Sequence, residues 1–293
     1  MQQQKQYVEE DNVTRMTALL RIVKHGYSLS WFKHWIFPYL GPKQHDIIQL
    51  RSYCKLFRDA LNPLSSLWTS FPHPNYPKLN ELMDALNRVY KKDPTKAPTI
   101  VFVMEGTFHG NGFVNINYPL MMIGAGRNKT FLTGCRGLRI GGTQEEGKRV
   151  NMQDFTMKGS SSHGLFASNG LSFLCKDMTF TQCRTGVYAM NTKGRLINCV
   201  ITKCREIGIA CRSNTLIELE GDQTKVDGNG TSGYGAYGLT TCNTSSKIHL
   251  LFPLTKESVS TNNHGAGNYG GPGAIETVAS FNNNTNATSS TNK

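Results

Sequence analysis

The sequence predicts a right-handed parallel β-helix, an all-β fold, preceded by a small all-α helical domain. Short alternating apolar segments recur about every 22 residues in the second half, whereas the first half shows helical spacing. We therefore divide the 293 residues into four parts. These are a polar leader (1–14), the helical domain (15–98), the β-helix (99–280) and a disordered tail of Asn, Thr and Ser (281–293).

Composition limits the classes of protein to consider. The chain has 32 Lys and Arg against 20 Asp and Glu, a formal net charge of +12, but these charges form no long run. A dedicated nucleic-acid-binding arm is therefore not expected. The polar N-terminus lacks the pattern of a secretory signal peptide, and no stretch is apolar enough to span a membrane. We expect an intracellular protein of the cytoplasm or nucleus.

The eight cysteines fit a reducing compartment. Without an export signal, we expect buried, reduced side chains rather than disulfides. Their spacing matches no common zinc pattern, so no metal is expected. The glycine pattern of residues 265–270 lacks the following helix of a dinucleotide site, so no cofactor is expected either.

Residues 15–98 show the three- and four-residue apolar spacing of amphipathic helices. Gly41-Pro42 separates the first helix from the second, and Asn62-Pro63 ends the second. A further helix is expected from about Leu79 to Lys91.

Part of this helical domain resembles an F-box. The resemblance rests on Ile36-Phe37-Pro38-Tyr39-Leu40, on the segment from Leu50 to Phe57, and on Ser66-Leu67-Trp68. It implies that the helices bind a Skp1-like adaptor and that the chain is a substrate receptor of a cullin-RING ubiquitin ligase, a monomer within a larger complex. The residues that the resemblance places at the adaptor are Ile36, Phe37, Leu40, Ile47, Leu50, Cys54 and Phe57.

The β-helix prediction rests on residues in register. Gly164, Gly186 and Gly208 each open a short apolar segment, and they are 22 residues apart. Stacked coils bring such positions about 4.8 Å apart and pair each strand in parallel with its counterparts above and below.

Asparagines follow these glycines at nearly constant distance. Amide side chains in register can hydrogen-bond along a stack, and asparagine tolerates the left-handed backbone of a tight turn. We therefore expect an asparagine ladder formed by Asn169, Asn191, Asn214 and Asn243.

The second half is similar to the pectin-lyase-like β-helix family. The similarity is carried by Glu105-Gly106-Thr107-Phe108 and by Met122-Ile123-Gly124-Ala125-Gly126. Within that family, the second half is most similar to the non-enzymatic branch, which has carbohydrate-binding and sugar-hydrolase-type repeats. An F-box joined to such repeats implies a receptor whose β-helix binds a protein substrate.

Two sets of surface residues are candidates for partner binding. Arg184 and Arg205 repeat at 21 residues, and with Lys203 and Arg212 they would form a basic stripe for acidic peptide or phosphate groups. Tyrosines of two Gly-rich insertions offer aromatic contacts. These are Tyr234, Tyr237 and Tyr269. Both sets also fit ordinary solvent-facing side chains.

Two alternatives to the F-box interpretation stay open. One is a pectin-lyase-like protein that binds or cleaves polysaccharide, with carboxylates from Asp154 and Asp177 and a further group from His163. These three residues also fit simple turn positions, and the F-box interpretation expects no catalytic residue. The other alternative is a structural repeat protein with a vestigial F-box.

Overall fold

The computed structural model describes residues 68–233 and 237–279. The chain divides into two compact units, residues 1–68 and 69–293, and the described residues belong almost entirely to the second. Residues 15–67 of the predicted helical domain and the predicted tail lie outside the described residues.

Short strands make up most of the described chain. In chain order the elements are β1 (Trp68–Phe71), α1 (Leu79–Lys92), a 3-10 helix (Pro94–Lys96), β2 (Ile100–Val103), β3 (Gly106–His109), β4 (Phe113–Ile116), β5 (Met121–Gly124), β6 (Thr130–Thr133), β7 (Gly137–Ile140), β8 (Arg149–Gln153), β9 (Thr156–Lys158), β10 (His163–Ser168), β11 (Ser172–Lys176), β12 (Thr179–Thr181), β13 (Thr185–Met190), β14 (Lys193–Ile197), β15 (Val200–Thr202), β16 (Ile209–Arg212), β17 (Leu216–Glu220), β18 (Lys225–Asp227), β19 (Tyr237–Thr241), β20 (Lys247–Leu251), α2 (Lys256–Val259), β21 (Ser260–Thr261), β22 (Gly267–Gly270) and β23 (Ala274–Val278).

The strands wind into the right-handed parallel β-helix that the sequence predicts. Sheet 1 has the order β1-β2-β5-β8-β11-β14-β17-β20-β23, sheet 2 the order β3-β6-β9-β12-β15-β18-β21, and sheet 3 the order β4-β7-β10-β13-β16-β19-β22. Each coil runs through sheets 1, 2 and 3 in turn. Neighbouring coils are in parallel register, so that Val187 lies opposite Leu165 in one coil and Ile209 in the next.

Alternation along the strands builds the core. In β11, Phe173 and Cys175 are buried, whereas Ser172, Leu174 and Lys176 face outward. Repeated over the coils, this pattern fills the interior with a continuous column of apolar side chains. Full burial of one large apolar side chain contributes about 1.5–3 kcal/mol, so the stack is held together mainly by this column.

A column of glycines lets neighbouring coils approach closely at one corner. A Cβ at Gly186 would lie 2.4 Å from Ile201 Cγ2 and 2.6 Å from the carbonyl oxygen of Gly208. A Cβ at Gly164 would lie 2.7 Å from the carbonyl oxygen of Gly186. The glycine repeat of the sequence is therefore a steric requirement of the stack.

Helix α1 covers the first coil of the β-helix. Its apolar face packs against β4 and joins the same core. Asn87 Nδ2 donates a hydrogen bond of 3.0 Å to the carbonyl oxygen of Asn115, which fixes the helix to that strand. By sequence this segment falls in the helical domain, but it forms one compact unit with the β-helix. The buried residues of α1 are Leu79, Leu82, Met83, Ala85 and Leu86.

The asparagine ladder is present over two coils. Asn191 Nδ2 donates a hydrogen bond of 3.0 Å to Asn169 Oδ1, and both residues have a left-handed backbone, with φ of 48° and 49°. The prediction is wrong for Asn214, because Ser213 takes the left-handed position in the next coil with φ of 55°. Ser213 keeps the 22-residue spacing from Asn191, which Asn214 does not.

The cysteines of the described residues are free thiols. Six of the seven are buried, and Cys242 is exposed. This agrees with their predicted role as small core side chains; Cys54 lies outside the described residues. No helix within the described ranges is both long and apolar enough to cross a membrane.

Candidate functional site

The outer surface of sheet 3 carries a column of aromatic and arginine side chains. Phe166 on β10 lies opposite Arg139 on β7 and Tyr188 on β13. The guanidinium carbon of Arg139 is 5.8 Å from the ring centroids of both Phe113 and Phe166, within the range of a cation–π contact. The ring centroids of Phe166 and Tyr188 are 5.7 Å apart. We call Phe113, Arg139, His163, Phe166 and Tyr188 the aromatic face.

His163 packs beside two rings of the aromatic face. Its ring centroid is 5.3 Å from that of Phe166 and 5.0 Å from that of Tyr188. Its Nδ1 is buried and has no hydrogen-bond partner within the part of the chain that the structure describes. Burial lowers the pKa of His163, and the positive charge of Arg184 lowers it further, while Glu206 opposes both. The imidazole is therefore neutral at neutral pH and adds uncharged aromatic area.

Arginines stand at both ends of the aromatic face. The guanidinium carbon of Arg136 is 5.0 Å from the ring centroid of Phe113. At the other end, Arg212 lies beside the Tyr188 hydroxyl, an interaction that raises the pKa of its guanidinium. From β4 to β16 there are four coil spacings of about 4.8 Å, so the surface is about 19 Å long. It offers both apolar ring area and hydrogen-bond donors to a long, narrow ligand.

The structure divides the predicted basic stripe. Arg184 and Arg205 lie on neighbouring coils at the turn between sheets 2 and 3, and Lys203 lies at the same turn, with φ of 55°. Arg184 Nε is 2.8 Å from Glu206 Oε1, and Arg205 Nη2 donates a hydrogen bond of 3.5 Å to the carbonyl oxygen of Ser161. Arg212 is instead the last residue of β16, at the end of the strand away from that turn.

The predicted tyrosine contacts do not share one surface. Tyr269 packs against the core, its hydroxyl is 3.2 Å from Glu257 Oε1, and Lys256 Nζ lies 4.7 Å from its ring centroid. The ring of Tyr237 lies against Gly270, where a Cβ would approach it to 2.5 Å. Tyr234 lies outside the described residues.

The two candidate carboxylates stack at the turn between sheets 1 and 2. Asp154 and Asp177 have left-handed backbones, with φ of 62° and 50°. Burial raises the pKa of Asp154, and the negative charge of Asp177 raises it further, while a hydrogen bond of 3.0 Å from Gln153 Nε2 opposes both. His163 begins β10 in sheet 3, on another face of the β-helix. The three residues of the polysaccharide-cleaving alternative therefore do not form one site.

Other predicted sites have no counterpart in the described structure. Among its residues, no group of three or more His, Cys, Asp and Glu side chains could hold a metal ion. The residues predicted to contact the adaptor all precede residue 68 and lie outside the described residues, so that contact stays a sequence prediction. They are Ile36, Phe37, Leu40, Ile47, Leu50, Cys54 and Phe57.

Sequence reasoning did not identify the aromatic face, although part of its signal was present. Phe166 and Tyr188 each stand two residues after a repeat glycine and are 22 residues apart. Because side chains alternate across a strand, one position in each repeat must face outward. Arg139 likewise stands two residues after Gly137, but it precedes Phe166 by 27 residues, and the register of the strands brings the two opposite each other. Phe113 lies opposite Gly137 and reaches Arg139 through its side chain.

Among known proteins, the chain is similar to solved structures but to no family model or curated protein. It is similar to the catalytic domain of a GH87 α-1,3-glucanase, solved as a variant in complex with tetrasaccharides (12% identity, 74% of this chain, 40% of that chain, TM-score 0.49). A second structure, the catalytic domain of a GH87 α-1,3-glucanase in complex with nigerose, gives 12% identity, 74% of this chain, 46% of that chain and a TM-score of 0.44. The chain thus spans less than half the length of these structures, and the likeness transfers no residue role to it.

Proposed function

We propose that the protein binds an extended polysaccharide along the aromatic face. The observation that carries the proposal is the continuous column of rings and guanidinium groups that crosses five consecutive coils from Phe113 to Arg212. Sugar rings have apolar faces that pack on aromatic side chains and hydroxyl edges that accept hydrogen bonds from arginine. The column supplies both kinds of contact at a repeat of about 4.8 Å.

The rigidity of the scaffold supports this function. Phe166 and Tyr188 project from central strands whose backbones pair in register on both sides. Their rings also pack against His163, so little side-chain freedom remains to be lost when a ligand binds. Preorganisation of this kind increases affinity because the entropic cost of ordering the site is already met during folding.

We propose binding rather than cleavage. Hydrolysis of a glycosidic bond usually requires two carboxyl groups that flank the bond, one of them with a raised pKa. The Asp154–Asp177 pair has a raised pKa on Asp154, but it lies at the turn between sheets 1 and 2, away from the aromatic face. A glycan held on sheet 3 would therefore not reach these carboxylates.

A polysaccharide panel tests the proposal. The full chain is run in native gels that contain one soluble neutral or acidic polysaccharide each, and retardation gives the affinity. We expect retardation by at least one polysaccharide, and an affinity about tenfold lower after Phe166→Ala together with Tyr188→Ala, because two ring contacts of about 0.5–1.5 kcal/mol are lost. Phe252→Ala is the matched control, since Phe252 is an exposed aromatic residue outside the aromatic face.

The same experiment can contradict the proposal in two ways. Retardation that the double variant leaves unchanged would mean that the glycan binds elsewhere. Release of shorter products from the polysaccharide, abolished by Asp177→Ala, would replace binding with cleavage. Tyr188→Phe keeps the ring and is expected to retain most of the affinity, which separates loss of contact from loss of folding.

A further inference from the structure

A groove opens on sheet 2, on the other side of the turn from the aromatic face. It lies over the outer surfaces of β3, β6 and β9 and extends to the turn after β12. The groove is open to solvent and has a volume of about 520 Å³, which is room for one or two sugar units. Its lining includes Thr107, His109, Phe131, Thr133, Lys158 and Gln182.

The floor of the groove is a half-exposed aromatic ring. Phe131 lies between Thr107 on β3 and Thr156 on β9, which are opposite it in the two neighbouring strands. Thr156 is buried and its hydroxyl donates to the carbonyl oxygen of Arg127, so this small side chain does not cover the ring. Within the described ranges, no aromatic or arginine side chain stacks on Phe131, in contrast to the rings of the aromatic face.

The rim of the groove consists of polar side chains that are free to bind. Thr107, Lys158 and Gln182 are exposed, and within residues 68–233 and 237–279 no hydrogen bond or ion pair engages their side chains. His109 Nδ1 is 2.8 Å from Thr133 Oγ1, which fixes the orientation of that imidazole. Hydroxyl, amide and ammonium groups thus surround an aromatic floor.

The charge of the lining selects the kind of ligand. Lys158 carries the one fixed charge among the lining residues, and none of them has a carboxylate. The groove therefore favours an anionic group. A single ammonium is a compact point charge, and lysine binds phosphate groups in this way. The groove lacks an arginine that would hold a planar carboxylate at two points.

From these contacts we infer that the groove binds a sugar unit that carries a sulfate or phosphate ester. The sugar ring packs on Phe131, the ester pairs with Lys158, and Gln182 and Thr107 hydrogen-bond the hydroxyl groups. This site is separate from the aromatic face, and it does not depend on the function proposed there.

Calorimetric titration of the full chain with four disaccharides tests the inference. The ligands are a monosulfate, the matching monophosphate, the matching uronide and the unsubstituted disaccharide. We expect the two esters to bind at least about threefold more tightly than the unsubstituted disaccharide, because they add an ion pair with Lys158 at an exposed site. The uronide is also anionic, and it is expected to bind less tightly than the esters. The tighter of the two esters identifies the natural oxyanion.

Variants locate the binding. Lys158→Met is expected to lower the affinity for the esters about threefold and to remove their advantage over the unsubstituted disaccharide, whereas Lys225→Met, an exposed lysine on the same sheet outside the groove, leaves it unchanged. Phe131→Ala is expected to weaken binding about fivefold, and Phe131→Tyr to retain it.

The inference is overturned if the unsubstituted disaccharide binds as tightly as the esters or if Lys158→Met has no effect. It is also overturned if Tyr188→Ala, rather than Lys158→Met, abolishes ester binding, because the ester would then occupy the aromatic face.

Discussion

The stack depends on a few residues whose backbone is left-handed at the turns. Asn169, Asn191, Asp154 and Asp177 all have φ between 48° and 62°. Asparagine and aspartate adopt this conformation at lower cost than other side chains, which is why the sequence alone indicates these turns. Ser213 was not predicted at this turn, because serine is a weaker signal for the left-handed backbone than asparagine. Serine has no side-chain amide with which to extend the ladder, although its backbone makes the same turn.

Removal of one rung tests the asparagine ladder. Asn191→Ala is expected to lower the free energy of unfolding by about 1–3 kcal/mol, because alanine pays the left-handed backbone cost and the hydrogen bond to Asn169 is lost. Asn191→Gly loses only the hydrogen bond and is expected to cost less. Urea unfolding measures both, and Asn214→Ala, off the ladder, serves as the control. Equal losses for Ala and Gly would contradict the backbone part of the argument.

His163 makes the stability of the protein depend on pH. Its pKa in the folded protein lies below the unperturbed value of 6.5, so the unfolded chain binds the proton more readily. The stabilising contribution is therefore complete above pH 6.5 and is lost as the pH falls through the lower, folded-state pKa. We expect the melting temperature to fall more steeply between pH 7 and pH 5 in the unsubstituted protein than in His163→Phe. Parallel curves would show that the imidazole is not buried as described.

At the scale of elements, the coils are specified by the glycine repeat and by the alternation of buried and outward-facing side chains along each strand. The 22-residue glycine repeat predicted the fold because each glycine occupies the corner where neighbouring backbones come closest. Alternating segments were also predicted, and β11 shows the alternation, with Phe173 and Cys175 buried. The position of α1 was harder to predict, because helical spacing reveals an apolar face but not the surface that the face covers. In the described residues, α1 covers β4.

A methyl group in the glycine column should disrupt two coils at once. Gly186→Ala places a Cβ within 2.6 Å of both Ile201 and the carbonyl oxygen of Gly208, and we expect a loss of about 1–3 kcal/mol in unfolding free energy. Gly112→Ala is the matched control, because a Cβ there meets no atom within 4 Å. Unfolding in guanidinium chloride measures both variants. An unchanged free energy of unfolding for Gly186→Ala would show that the coils can move apart at no energetic cost.

At the scale of the whole molecule, strand register creates a surface that no single segment contains. The aromatic face takes one or two side chains from each of four coils, and Arg212 extends it to a fifth. Sequence patterns predicted the coils but pointed to charged residues as the site. Arg184 forms an ion pair with Glu206, and Asp154 and Asp177 lie on another face of the β-helix. The predicted charged residues therefore do not form one shared site. The adaptor role of the F-box-like segment stays a prediction.

Hydroxyl-radical footprinting with and without the retarding polysaccharide tests the central claim most directly. Oxidation of Phe166, Tyr188 and the neighbouring Met190 is expected to fall when the glycan is bound, because these half-exposed side chains line sheet 3. Leu174 on sheet 1 and Phe252 beyond β20 report on the rest of the surface and are expected to be oxidised as before. Protection of Leu174 or Phe252 with no change at Phe166 and Tyr188 would contradict the assignment of polysaccharide binding to the aromatic face.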